Sequence, residues 1–170
     1  MRKRTRPATS TLPLRTPGRT RSAPRRPARA RPRPAFEILE HPADIGFLAR
    51  GATRPRLFEH AAAALLAIAA APARVTPASA HTLRVEGEDL ASLLVNFLSE
   101  VLYLFDAGRL AVARVHVQRV TPTALSATLV GERRSARRHP WRLIVKAVTY
   151  HRLEVKGRSG RWTARVYLDI

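Results

Sequence analysis

The sequence contains no cysteine in its 170 residues. Disulfides, thiolate-bound zinc and cysteine nucleophiles are therefore excluded, and the composition suits a reducing interior. Long apolar runs are missing too. The longest, "AAAALLAIAAA" (Ala61–Ala71), falls short of the ~20 residues that a membrane-spanning helix needs, so a soluble, cytoplasmic protein is expected. Common catalytic signatures are absent: no Gly-x-x-x-x-Gly-Lys phosphate loop, no Gly-x-Gly-x-x-Gly, no Gly-x-Ser-x-Gly and no His-Glu-x-x-His. The six histidines form no i, i+4 pair on a helix. An enzyme of an ordinary kind is not expected. Acids are scarce as well, 12 against 31 lysines and arginines, for a formal net charge of +19.

That scarcity is uneven. Residues 1–34 carry 12 basic side chains, no acid and seven of the 13 prolines, which leaves +7 for residues 35–170. With almost nothing large and apolar, the segment cannot bury enough surface to offset its ordering entropy, so a disordered Arg/Pro-rich tail is expected. Arg2, Arg4 and Arg6 are its first candidates for contact with nucleic acid, since arginine-rich disorder binds phosphate backbones without sequence preference. The tail also resembles an acid-poor targeting leader, but it lacks the apolar core of a secretory signal. A translation start assigned upstream of the true domain is the plainer alternative.

From residue 35 the texture is that of a folded domain. "FEILE" (Phe36–Glu40) alternates like a half-buried strand, and Ile45–Arg50 extends again after Pro42 turns the chain. Leu57, Ala61, Ala64, Leu65 and Ile68 then recur at helical spacing, and Pro72 should stop that helix. A second helix is marked by Leu90, Leu93, Leu94, Phe97, Leu98, Val101, Leu102 and Phe105, with Asp89 as N-cap and Gly108 at its end. Strand patterns fill the rest: "HTLRVEGE" between the helices, then "LAVARVHVQRV", "ALSATLVGERR", "RLIVKAVTY", "RLEVKG" and "WTARVYLDI". These elements predict an α+β fold, a two-layer α/β domain over residues 35–170 in which two helices cover a mixed sheet of about seven strands.

Two aspartates stand at strand ends. Asp44 precedes the strand Ile45–Arg50. Asp169 follows an alternation that puts Trp162, Ala164, Val166 and Leu168 on one face and Thr163, Arg165, Tyr167 and Asp169 on the other. Asp169 should point away from the packed layer, next to the α-carboxylate of Ile170. Such an oxygen cluster suits Ca²⁺ or Mg²⁺. A turn residue at Asp44 and a solvated end at Asp169 account for the same pattern.

Four blocks occur in a telling order: "HPADIG", "LLVNFLSEVLYLFD", "VKAVTYHRLEV" and the final "W-x-A-x-V-x-L-D-I". Together they resemble the archease family over Phe36–Ile170, leaving the basic tail outside. The resemblance implies a small, non-enzymatic protein cofactor of the GTP-dependent tRNA-splicing RNA ligase. That ligase joins a 2′,3′-cyclic phosphate or 3′-phosphate end to a 5′-hydroxyl. The implied role is to promote ligase guanylylation and multiple turnover, and to broaden the nucleotides the ligase accepts. Modulation of tRNA methyltransferase specificity is a further implied role.

The same resemblance implies a divalent-metal site of Asp44, Asp169 and the Ile170 carboxylate, holding Ca²⁺ or Mg²⁺, with Mn²⁺ as another occupant. His41, Glu100, Lys146 and His151 match the family's blocks and are candidates for supporting or partner contacts. For Lys146 and His151 the alternatives are a lysine snorkelling over the sheet and an ordinary turn histidine. The family usually has threonine where this chain has Pro42, so that hydroxyl and its N–H are lost here. Beside the activator stand an RNA-binding chaperone working through the basic arm and a metal-dependent hydrolase. The first lacks an exposed aromatic stacking pattern, and the second lacks a recognisable general base.

Overall fold

The structure, a computed structural model, describes residues 34–40, 45–71, 73–158 and 160–170. The expected tail with Arg2, Arg4 and Arg6, the turn with His41, Pro42 and Asp44, and Pro72 lie outside the described residues. In chain order the elements are β1 (Phe36–Glu40), β2 (Ile45–Gly51), α1 (Arg54–Ala69), β3 (Ser79–Glu86), α2 (Leu90–Asp106), β4 (Leu110–Val120), β5 (Ala124–Arg133), β6 (Ala147–Val148), β7 (Glu154–Arg158) and β8 (Arg161–Asp169).

The α+β class and its two helices are as the sequence predicts. The strands differ in detail from one mixed sheet of about seven. The eight described strands form two sheets, β1-β2-β8-β6 with β7 also on β8, and β3-β5-β4. Every pairing is antiparallel. For β4 and β5 a short turn dictates this outcome: it closes with the Thr121 N–H donating to the Ala124 carbonyl at 2.8 Å, and a hairpin reverses direction by construction.

Each helix is started by its own sequence. Thr53 caps α1, its hydroxyl accepting from the Arg56 N–H, and Pro55 sits in the first turn where no N–H is needed. Asp89 caps α2 in a reciprocal box with Ser92. At the far end of α2, the Ala107 and Gly108 N–H groups both donate to the Tyr103 carbonyl. The left-handed residue that follows is Arg109, φ 50°, rather than the glycine. Gly108 is needed for closeness instead, because a Cβ there would lie 2.9 Å from the Leu104 Cα.

Both helices pack on both sheets and share one core with them. Alanines make this feasible for α1: Ala61, Ala62, Ala64 and Ala69 are all fully buried and let the helix approach closely. Phe58 of α1 meets Phe97 of α2 at 5.8 Å between ring centroids. From the five-stranded sheet, Phe47, Ala49, Ala164, Val166 and Leu168 face inward, as the alternation in β8 predicts.

"RLIVKAVTY" departs from its expected strand. Only Ala147 and Val148 pair with β8. The backbone before them is engaged elsewhere: the Arg142 N–H donates to the Ala69 carbonyl at 2.8 Å, the Ala71 N–H donates to the Pro140 carbonyl at 3.1 Å, and Trp141 bridges to Ala70. The start of this segment thus serves the C-terminal end of α1, so the Arg142 N–H cannot also serve a sheet.

Candidate functional site

β8 lies between β2 on one edge and β6 and β7 on the other, so its C-terminal end gathers residues distant in sequence. Ala147 of β6 stands opposite Asp169, and the Lys146 N–H donates to the Asp169 carbonyl at 2.8 Å. The Lys146 ammonium donates to the main-chain oxygen of Ile170 at 2.9 Å. Across the strand, Ile45 pairs with Leu168, so the described end of β2 stops one residue short of the Asp169 level. Asp169 itself is exposed, as is Ile170.

The outer face of β8 continues the site away from its tip. Tyr167 lies opposite Gly46, and a Cβ on that glycine would come within 2.9 Å of the tyrosine ring. Glycine here leaves room for the aromatic ring beside the neighbouring strand. The His151 ring meets Tyr167 edge to face, with centroids 5.9 Å apart. Thr149 donates both its N–H and its hydroxyl to the Tyr167 carbonyl.

The structure thus brings Lys146, Asp169 and Ile170 together and places His151 on the adjacent tyrosine. Glu100 is exposed on α2, which packs against β6 and β7 and not against β8. Asp44 and His41 lie outside the described residues, and Asp44 is bonded to Ile45. Among the described residues, no three histidine, cysteine, aspartate or glutamate side chains cluster as a metal site.

Two other carboxylates escaped the sequence reading. Glu59 lies buried on the inward side of α1; its Oε1 accepts the Val117 N–H at 2.9 Å, and its Oε2 accepts from Arg56 at 2.9 Å. The signal was a charged residue placed between Phe58 and Ala61 on an apolar helix. Glu132, near the end of β5, accepts the Thr76 N–H and both terminal nitrogens of Arg138. The Thr76 N–H chiefly, and Arg138 after it, hold the Glu132 carboxyl below its ordinary value. His139, almost fully buried, accepts the Ser135 N–H at Nδ1 and puts Nε2 3.5 Å from Glu132.

The described fold is therefore an α+β domain with two antiparallel sheets and a polar cluster where a C-terminal strand ends. Residues 36–170 match the model of the Archease protein family (MTH1598/TM1083), and the chain belongs to that family. Relatives called protein archease include one from Methanosarcina mazei, 36% identical over 139 residues that cover 79% of this chain and 95% of the relative. Another, from Pyrococcus abyssi, is 36% identical over 140 residues, 79% of this chain and 98% of the relative. The solution structure of Methanobacterium thermoautotrophicum protein 1598 is similar, with a TM-score of 0.67 and 30% identity over 80% of this chain and 99% of that one. The fold is shared as well with a Thermotoga maritima protein described as an archease and possible chaperone, TM-score 0.52 and 19% identity over 79% of this chain and 96% of that one. Among the described residues, no helix is long and apolar enough to cross a membrane.

Proposed function

We propose that this archease is a metal-binding, non-enzymatic activator of the GTP-dependent tRNA-splicing RNA ligase, acting in the cytoplasm by promoting ligase guanylylation and multiple turnover. One observation carries the reading. The end of β8 presents Asp169 to solvent beside the Ile170 oxygen, while Lys146, just before β6, bonds to both residues. Asp44, the covalent neighbour of Ile45, joins the chain one residue from where β2 meets Leu168.

The donor chemistry fits a hard cation. Carboxylate and main-chain oxygens at a solvent-facing strand end suit Ca²⁺, Mg²⁺ or Mn²⁺, with the remaining positions taken by water or by a partner. Asp44, Asp169 and Ile170 would hold the ion, which would supply charge neutralisation and orientation of a bound phosphate. Lys146 contributes a fixed positive charge at the Ile170 oxygen. In this proposal it keeps that oxygen in place and tempers repulsion between neighbouring carboxylates. His151 and Tyr167 form an aromatic wall beside the strand end that a partner surface can rest on.

The test is covalent guanylylation of the cognate ligase with GTP and Mg²⁺ or Mn²⁺, with wild-type protein or Asp169→Ala. Wild type should stimulate at less than one copy per ligase and should hydrolyse no GTP alone. Equal stimulation by Asp169→Ala would remove the strand end from the mechanism.

A further inference from the structure

A second place on the molecule, away from the end of β8, offers main-chain groups to a partner. Among the described residues β4 is the outer strand of the three-stranded sheet, with β5 as its strand neighbour and α1 packed against it. Its central stretch is regular from Arg114 to Val117, between bulges at Val112/Arg114 and Val117/Arg119. The Val117 N–H points away from β5, because it donates to Glu59 on α1. In an antiparallel strand the direction of the peptide groups repeats every second residue, so the N–H and C=O of Val115 point outward as well. Val115 helps line a cleft of about 390 Å³ between α1 and β4, together with, among others, Arg56, Glu59, His60, Leu66 and Arg114.

The lining has a definite charge. The Glu59 carboxylate is engaged on both oxygens, by the Val117 N–H and by Arg56. His116 adds its Nδ1 at 3.3 Å from the same carboxylate. Arg114 is exposed and makes no ion pair among the described residues. The rim thus presents positive charge around an apolar floor. Glu59 closes the strand edge at Val117, which sets where an added segment must stop.

We propose that this cleft binds a short, extended, acidic segment of a partner protein, which adds to β4 through the main chain of Val115. An outward edge offers a donor and an acceptor from one residue, and another peptide backbone is what matches both. A phosphodiester only accepts, so a phosphate backbone by itself would leave the Val115 carbonyl unpartnered and the Leu66 floor uncovered. An aspartate or glutamate next to the paired residue would reach Arg114, and an apolar neighbour would cover Leu66 and Val115.

The experiment titrates the ¹⁵N-labelled full chain with acetylated pentapeptides alternating valine with aspartate or glutamate. Parallel titrations use the lysine counterparts, a counterpart N-methylated at its central residue, and oligouridylate. The acidic peptides should shift the Val115 amide and slow its hydrogen exchange by about tenfold or more, while the lysine and N-methylated peptides leave it unchanged. Arg114→Glu should weaken acidic-peptide binding by about tenfold, and Asp169→Ala should not change it. Val115→Pro should abolish it, and if that variant does not fold, Arg114→Glu and the N-methylated peptide decide instead. An unchanged Val115 amide at millimolar acidic peptide, an equal response to the lysine peptides, or a response to oligouridylate alone would overturn the proposal.

Discussion

Glu59 and Glu132 differ from Asp169 in what holds them. The two glutamates lie within the body of the fold, each tied to a main-chain N–H and to an arginine. Asp169 stands exposed at a strand end, where the Lys146 N–H fixes its carbonyl. With only 12 acids in the chain, this difference separates roles. A carboxylate that satisfies a main-chain donor and an arginine together is part of the scaffold, because removing it strands both partners. A carboxylate whose backbone is pinned while its side chain faces water is available to a ligand.

The contrast breaks most sharply at Asp169. Asp169→Ala should lower Ca²⁺ affinity by at least about tenfold, since a site with few protein donors cannot lose one lightly, and should shift stability by no more than about 0.5 kcal/mol. Calorimetric Ca²⁺ titration and urea unfolding of the same variant check both halves. Glu59→Ala should do the reverse, costing about 1–3 kcal/mol by leaving the Val117 N–H unsatisfied, with Ca²⁺ binding retained. Glu59→Gln, which keeps an acceptor, should recover part of that loss in the same unfolding assay.

Glu132 sharpens the scaffold side through pH. Its carboxyl is held below the ordinary value of 4.5, by the Thr76 N–H first and by Arg138. A folded-state pKa below the unfolded one stabilises fully above about 4.5, and that contribution disappears as pH falls through the depressed value. Asp89, through its Ser92 hydrogen bonds, and Glu154, through Lys156, act in the same direction. Denaturation midpoints followed downward from pH 6 should therefore fall, and Glu132→Gln should flatten part of the slope. The smallest effect is expected from removing residues 1–34. Ligase activation should stay near normal at physiological salt, where exposed charges are screened beyond ~8 Å, while RNA retention at low salt weakens.

Particular residues show how far the sequence could be read. The leucine and phenylalanine stripe of α2, the Asp89 cap and the two-residue period of β8 were all legible, because each is a local pattern with one periodicity. "RLIVKAVTY" carries as good an alternation, yet only Ala147 and Val148 pair in the sheet. What overrode the pattern at its start was the need of α1 for a donor at its C-terminal end, which the Arg142 N–H supplies to the Ala69 carbonyl. The alternation in β4 likewise reads as a strand, but nothing local says which neighbour it lacks.

The sequence by itself determined where the two helices begin, which face of each is apolar, and the family to which residues 36–170 belong. These follow from periodicity, capping and motif order along the chain. Only the tertiary structure decided that the strands divide into two antiparallel sheets, that Lys146 meets Ile170, and that Glu59 reaches Val117 across 58 residues. Main-chain donors and acceptors look alike in every residue, so which of them pair, and which stay open to a partner, is settled by the packing of distant segments.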